Sequence, residues 1–262
     1  KISLTNKDAM SKVALGTIPV GVLPSKDILI RSEEERIKIL KLIKERISLR
    51  ASDGIRYQCG QSWSLSDSLD AYLSADFEGD ELVEYSNILV DRLMDFLKGL
   101  GFNTIRFSDP LTNASYHAGL FSAVNTSAHN QSIVHIDDFL RVASDTKSDF
   151  RMPDILRNQM YYQFSFCMLL DDGGKQANPL YTYNRFYKPS DEAQCDDNGW
   201  TFPLEMMKDS KEYKHQPKIG ECYTFSTTAY HDVRGVVSKA ERITWRTFAL
   251  YLPALNTIVI YT

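Results

Sequence analysis

The 262-residue sequence lacks a strong charge imbalance, a long apolar run and a secretory leader pattern. Lys and Arg number 30 against 34 Asp and Glu, which gives a formal net charge of −4. Such a chain has no general electrostatic attraction for nucleic acid or anionic lipid, so neither partner is expected. No apolar run approaches the roughly 20 residues that cross a bilayer, so no membrane span is expected. The first residues are polar and mixed, and the start at Lys1 leaves a trimmed leader open.

Cysteine is also scarce. The four cysteines are scattered along the chain, and no two form a CxxC pair: Cys59, Cys167, Cys195 and Cys222. This distribution argues against a disulfide framework and against a zinc knuckle. We therefore expect reduced thiols and a cytoplasmic protein.

The N-terminal part of the chain carries helix signals. Ser32 followed by Glu35 is a capping-box signature, and apolar residues at helical spacing continue to about residue 49. A second helix is predicted from about Asp80 to Lys98, because apolar residues again recur at helical spacing and glycines follow. We expect residues 1–101 to be a helical support for the rest of a single domain.

The pattern changes after Gly101, where short β-rich runs alternate with turn residues. Many short strands without intervening helices favour a sandwich or barrel over a parallel α/β sheet. We expect residues 102–262 to form this β core, and we interpret the polar stretch 188–218 as an insertion or lid. The predicted strands lie near residues 133–135, 159–170, 180–187, 222–226, 233–237, 244–252 and 257–261.

Two of the five histidines lie in surroundings typical of a metal site. His135 and Asp137 are two residues apart, so in a strand both side chains point to the same face. His231 follows a glycine-led β run, which places its imidazole at the mouth of a strand. Two imidazoles and one carboxylate form the facial triad of non-haem iron oxygenases, which leaves coordination positions open. Asp138 is a weaker alternative to Asp137, and a structural His–Asp hydrogen bond with an unrelated histidine is the other interpretation.

Arginine and threonine residues follow His231 in the sequence. Arg242 and Thr244 share one face of a predicted strand, and a guanidinium with a hydroxyl suits a carboxylate ligand. Arg246 is two residues further on the same face, so it competes with Arg242 for that role.

The order His-x-Asp, distant His, Arg-x-Thr over roughly Ser132–Leu252 resembles the Fe(II)/2-oxoglutarate-dependent dioxygenase superfamily. The resemblance implies a double-stranded β-helix, or jelly roll, with Fe(II) bound by His135, Asp137 and His231. It also implies that 2-oxoglutarate and O₂ are co-substrates and that Arg242, helped by Thr244, binds the distal carboxylate of 2-oxoglutarate. Arg246 remains the alternative anchor. The implied reaction couples oxidative decarboxylation of 2-oxoglutarate to substrate hydroxylation.

Within this superfamily, the runs Leu180–Asp191 and Arg242–Arg246 resemble the group that hydroxylates or halogenates free amino acids. Related halogenases replace the carboxylate ligand with a small residue, so Asp137 favours hydroxylation here. We expect a small polar substrate, such as a free amino acid or derivative. Its charged groups have five candidate partners, none of them singled out by spacing: Asp138, Asp145, Arg141, Arg185 and Arg246.

Three alternatives stay open. The same chemistry could act on a peptidyl, sugar or other metabolite substrate, and its outcome could be desaturation or cyclisation. The chain could instead be a jelly-roll binding module without metal, although the intact triad argues against that. The sequence does not determine the oligomeric state.

Overall fold

A computed structural model provides the fold, and its description covers these residues: 1–49, 56–59, 80–108, 119–125, 134–138, 154–156, 159–174, 179–195, 201–234 and 241–261. Within them, the chain is mainly β with three α-helices, which confirms the predicted balance of elements. The helices are α1 (Lys7–Ala14), α2 (Glu33–Leu49) and α3 (Glu81–Gly99).

The strands of the described residues are, in chain order, β1 (Ile2–Ser3), β2 (Gly21–Val22), β3 (Arg56–Cys59), β4 (Asn103–Arg106), β5 (Leu120–Asn125), β6 (Val134–His135), β7 (Tyr162–Asp171), β8 (Leu180–Phe186), β9 (Thr201–Phe202), β10 (Glu212–His215), β11 (Cys222–Ser226), β12 (Ala229–Val233), β13 (Glu241–Leu252) and β14 (Thr257–Tyr261).

These strands form two mixed sheets. The nine-stranded sheet has the order β1-β2-β11-β7-β13-β14-β4, and β5 pairs with both β13 and β3. The five-stranded sheet has the order β10-β8-β12-β6-β9. Two pairs, β1 with β2 and β14 with β4, are parallel, and the other described pairs are antiparallel. Residues of both sheets line a common cavity, so the two sheets face each other across it.

Strand β13 connects the core to this cavity, because side chains alternate across a strand. Ile243 and Trp245 are fully buried in the hydrophobic cluster that includes the helices. Arg242, Thr244 and Arg246 lie on the opposite face and line the cavity. A β-bulge between Ile243 and Thr244 shifts the register with β7 without breaking this alternation.

The helices cover the outer face of the nine-stranded sheet. Both predicted helices are confirmed as α2 and α3, and both N-termini carry side-chain caps. Ser32 Oγ accepts a hydrogen bond from Glu35 N at 3.2 Å, and Asp80 Oδ1 accepts one from Leu82 N at 3.0 Å. Among the described residues, no helix is both long and apolar enough to cross a membrane.

The N-terminal part of the chain also contributes strands, which the sequence did not predict. Strands β1 and β2 are two residues each, and β2 pairs with β11. Runs this short show no resolvable period-2 pattern, so only tertiary pairing identifies them. Helix α1 was also missed, although Asn6 caps it by accepting from Ala9 N at 2.9 Å.

The segment 188–218 supplies elements of the five-stranded sheet. It contains the edge strands β9 and β10 and two 3-10 helices, Pro189–Gln194 and Leu204–Met207. Met207 packs with Tyr230 in a hydrophobic cluster on the sheet face away from the cavity. The buried Asp191 joins this cluster to the sheet, because its carboxylate accepts from Tyr230 OH at 2.9 Å and from Arg185 Nη2 at 2.8 Å.

One strand prediction near the distal histidine was wrong. The sequence predicted a strand at 233–237, whereas β12 spans Ala229–Val233 and ends there; residues 235–237 lie outside the described residues. His231 therefore lies within a strand rather than beyond the end of one. The prediction failed because β12 carries His231 and Asp232 at its centre, and buried polar residues do not give an apolar strand pattern.

We expect the helical layer to be a major source of stability. Leu89 on α3 is fully buried, so Leu89→Ala should lower the free energy of unfolding by about 2–5 kcal/mol. Ile88 is the matched control, since it is the preceding aliphatic residue and is 40% exposed. Ile88→Ala should cost about 0.5–1 kcal/mol in denaturant unfolding. Equal losses for the two variants would show that α3 does not bury the face described here.

Candidate metal centre and its cavity

Two adjacent strands bring the predicted histidines together. His231 of β12 lies directly opposite His135 of β6 in the antiparallel register. Both side chains point to the cavity, and their ring centroids are 4.2 Å apart. Asp137 follows the end of β6 and lines the same cavity.

These three side chains could hold a metal ion. One donor atom from each of His135, Asp137 and His231 lies within 4.8 Å of the other two. His231 Nε2 and Asp137 Oδ2 are 3.4 Å apart. Ligands at about 2.1 Å from a metal in cis positions are about 3 Å from each other, so His231 Nε2 and Asp137 Oδ2 are already near that spacing. Two imidazoles and a carboxylate fit a divalent transition metal.

The orientation of the His231 ring is set by its own strand. Its Nδ1 lies 3.0 Å from the backbone oxygen of Ala229, and the ring is buried. A carbonyl oxygen can only accept, so Nδ1 donates to it, and Nε2 is the ring nitrogen that faces Asp137. A hydrogen bond of this kind is typical of metal-binding histidines.

A buried glutamine positions the segment that carries Asp137. Gln163 of β7 donates through Nε2 to the backbone oxygen of Asp137 and to Thr227 Oγ1, the latter at 3.1 Å. The backbone N–H of Asp137 donates to the oxygen of Thr227 at 3.0 Å. Gln163 thus ties Asp137 to the nine-stranded sheet. A polar residue in an otherwise aromatic and aliphatic run was the sequence signal for this role.

The Asp137 carboxyl is ionised at neutral pH. Burial alone would raise its pKa, but the contact with His231 and the charges of His135 and Arg246 outweigh burial and hold this pKa well below its usual range. A carboxylate that needs no deprotonation is ready to bind a cation.

The opposite wall of the cavity carries a polar socket, formed by Arg242, Tyr223, Thr244 and Ser122. Arg242 Nη2 donates to Tyr223 OH at 3.1 Å. Burial raises the pKa of the Tyr223 hydroxyl, so this group stays neutral and accepts. Thr244 pairs with Ser122 of β5 in the strand register.

Two buried donors of this socket have no partner among the described residues. They are Ser122 Oγ and Arg242 Nε. Unsatisfied buried donors are costly, and an anion placed between them would remove that cost. Sequence reasoning missed Ser122, because no strand was predicted at residues 120–125 and a lone serine carries no motif.

Arg246 occupies a separate position on the same wall. It lies on β13 opposite Cys167 of β7, and its charge lowers the pKa of Asp137. Both arginines therefore line the cavity from the same face of β13.

The other candidate partners of a substrate are not in this cavity or cannot be placed. Arg185 binds Asp191 and the backbone oxygen of Met206 on the opposite face of the five-stranded sheet. Asp138 is close in sequence but does not belong to the metal-donor cluster. Arg141 and Asp145 lie outside the described residues.

The cavity encloses about 110 Å³, with Phe225, Phe248, Leu180 and Val233 among its apolar walls. Pockets for drug-sized ligands are typically about 300–1,000 Å³, so this space suits a small molecule.

Comparison with known proteins gives a structural likeness only. No protein-family model matches the chain, and no curated protein matches it. An N-substituted L-amino acid dioxygenase from Burkholderia ambifaria AMMD superposes with a TM-score of 0.55 at 14% identity, over 97% of this chain and 91% of that chain. HygX from Streptomyces hygroscopicus, solved with nickel and 2-oxoglutarate bound, superposes with a TM-score of 0.49 at 9% identity. The superposition covers 94% of this chain and 86% of that chain. The resemblance drawn from the sequence motifs is thus confirmed at the level of the fold.

We expect metal binding to depend on Asp137 and not on its neighbour Asp138. Asp137→Ala removes one of three donors and should weaken Mn(II) or Fe(II) binding at least about 100-fold, measured by anaerobic calorimetry. Asp138→Ala is the matched control and should keep the affinity within about threefold, because a residue outside the donor cluster removes no ligand. An equal loss of metal affinity in both variants would show that the substitutions act by disturbing the segment after β6, and not by removing a metal ligand.

Proposed function

We propose that this protein is an Fe(II)- and 2-oxoglutarate-dependent oxygenase that hydroxylates a C–H bond of a small polar substrate, such as a free amino acid or derivative. One observation carries the proposal. A single cavity contains a facial set of two imidazoles and a carboxylate on one wall and a guanidinium socket with unpartnered buried donors on the other. A cation site and a carboxylate site in one cavity fit a bifunctional acid.

The arrangement of strands supports the same proposal. The five-stranded sheet carries His135 and His231, and the nine-stranded sheet carries Arg242. We propose that the strands facing the cavity form a double-stranded β-helix, the fold that the sequence motifs imply.

His135, Asp137 and His231 would hold the iron. The bound metal, with its co-substrates, would supply the oxidising chemistry that turns 2-oxoglutarate and O₂ into succinate, CO₂ and a hydroxylated product. A metal held by only three protein donors would keep coordination positions for exchangeable ligands. Asp137 fills the position that must be vacant for halide, so hydroxylation is favoured over halogenation.

Arg242 would orient the co-substrate by binding its distal carboxylate. The guanidinium is fixed by Tyr223 OH at 3.1 Å, so little conformational entropy is lost when the anion binds. Ser122 Oγ and Thr244 would add hydroxyl donors. The apolar side chains of Phe225 and Phe248 exclude water around these charges and so strengthen the ion pair.

The first experiment tests the enzyme class. Anaerobic addition of Fe(II) and 2-oxoglutarate to the metal-free protein should produce the weak visible charge-transfer band of the chelate. Admission of O₂ should bleach this band and produce succinate. A protein that binds Fe(II) at full occupancy but gives no band contradicts the proposal and favours a binding module.

The second experiment tests the carboxylate socket. Arg242→Met keeps the aliphatic stem but removes the charge, so the Kd for 2-oxoglutarate, read from the same band, should rise about 100-fold. Tyr223→Phe removes only the hydroxyl that accepts from the Arg242 guanidinium, and it should raise the Kd for 2-oxoglutarate about tenfold. Arg106→Met is the control outside the cavity and should leave the Kd unchanged. An unchanged Kd in Arg242→Met would remove this residue from the co-substrate site.

A further inference from the structure

Strand β7 forms the floor of a groove on the cavity face of the nine-stranded sheet. It lies between β11 and β13, and two short side chains of β7, Ser165 and Cys167, line the cavity. The neighbours of Ser165 in the register are large, namely Phe225 of β11 and Phe248 of β13. Because neighbouring strands are about 4.8 Å apart, short side chains between large ones leave a groove that runs along β7.

The candidate metal centre lies over one end of this groove. Ser165 pairs with Phe225, and the Phe225 ring is 4.9 Å from the ring of His231, measured between centroids. Gln163, two residues before Ser165 on the same face of β7, donates to the backbone oxygen of Asp137. These two contacts, made at adjacent positions along the groove, locate the metal donors over its Ser165 end.

The arginine socket lies towards the other end of the groove. Tyr223 of β11 pairs with Cys167, and Thr244 of β13 pairs with Leu169, two residues further along β7. Arg242 lies beyond Thr244 in the same direction, and its Nη2 reaches back to Tyr223 OH at 3.1 Å. This hydrogen bond joins β13 to β11, so it crosses over β7.

Cys167 therefore lies between the metal donors and the guanidinium of Arg242. A linear acid that binds the metal at one end and Arg242 at the other must pass over this side chain. The thiol is half-buried, and its Sγ is 3.2 Å from Ser165 Oγ, so the two short side chains form one continuous floor. A thiol suits contact with a carbon chain, because cysteine behaves as a small hydrophobic residue.

We propose that the carbon chain of 2-oxoglutarate lies against the thiol of Cys167, and that the small size of this side chain is what admits the co-substrate. The inference rests on the proposed function and deepens it. It assigns a residue to the middle of the co-substrate, whereas the metal and Arg242 bind the two ends.

The first test uses the thiol as a reporter. The protein is loaded with Mn(II), and methyl methanethiosulfonate is added with and without saturating 2-oxoglutarate. This small reagent forms a mixed disulfide with an accessible thiol and releases methanesulfinate, and peptide mass spectrometry reports each cysteine separately. Bound 2-oxoglutarate should slow the labelling of Cys167 at least about tenfold, because it covers the sulfur. Cys195, half-buried in the cluster on the outer face of the other sheet, is the internal control and should label equally in both samples.

The second test changes the size of the side chain. Cys167→Leu adds bulk to the floor and should raise the Kd for 2-oxoglutarate at least about tenfold in calorimetry, while the Kd for Mn(II) stays within about threefold. Cys167→Ser nearly keeps the size and should leave both Kd values within about threefold. Cys167→Val is a smaller enlargement for the case in which the leucine variant does not fold, and retained Mn(II) binding demonstrates an intact metal site.

Each contrary result has a distinct meaning. Equal labelling of Cys167 with and without 2-oxoglutarate, or no labelling in either sample, overturns the inference. An unchanged Kd for 2-oxoglutarate in an enlarged variant that still binds Mn(II) also overturns it. A wild-type protein that gives no visible chelate band with Fe(II) and 2-oxoglutarate fails the proposed function itself, which this band reports independently of any cysteine.

Discussion

The register between β6 and β12 is the constraint on which the candidate metal centre depends. His135 faces His231 across this strand pair, and their neighbours Val134, Ile136 and Tyr230 pack together on the other face. A slip of β12 by one residue would turn the His231 imidazole outward and the aromatic ring of Tyr230 into the cavity. The hydrophobic cluster on the outer face therefore fixes the polar arrangement on the inner face. Asp191, which binds Tyr230 OH from a 3-10 helix, strengthens the same register from outside the sheet.

The nine-stranded sheet carries charged side chains on its cavity face and hydrophobic core residues on its helix-facing side. β13 alternates Ile243 and Trp245 toward the helices with Arg242, Thr244 and Arg246 toward the cavity. The stability gained by burying the first set offsets the cost of confining the second. On the helix-facing side of the strand, the buried indole N–H of Trp245 has a hydrogen-bond acceptor, because it donates to Ser86 Oγ of α3 at 2.9 Å. The helices thus act on the site through the strand rather than by contact with it.

Much of this arrangement was predictable from local sequence, and the remainder was not. Residue spacing predicted helices α2 and α3, six of the fourteen described strands and the grouping of His135, Asp137 and His231, because periodicity and motif order are properties of short segments. The turn after β7 was also predictable, since Asp171 and Asp172 cap the N–H groups of Gly173 and Gly174, both at positive φ. The strand position of His231 was missed because functional polar residues replace the apolar pattern. Ser122 was missed because its role arises only from pairing with β13, which is distant in the chain.

The two walls of the cavity differ in whether their polar groups have hydrogen-bond partners within the protein. Around Asp137 and His231, each supporting contact is made within the protein: Gln163 holds the backbone of Asp137, and Ala229 accepts from His231. The side chains that remain free to act there are therefore already oriented. On the other wall, buried donors of Ser122 and Arg242 lack partners among the described residues, although burial makes such atoms expensive. The contacts around Asp137 and His231 are thus made within the protein, whereas the socket around Arg242 keeps donors that an anion would satisfy.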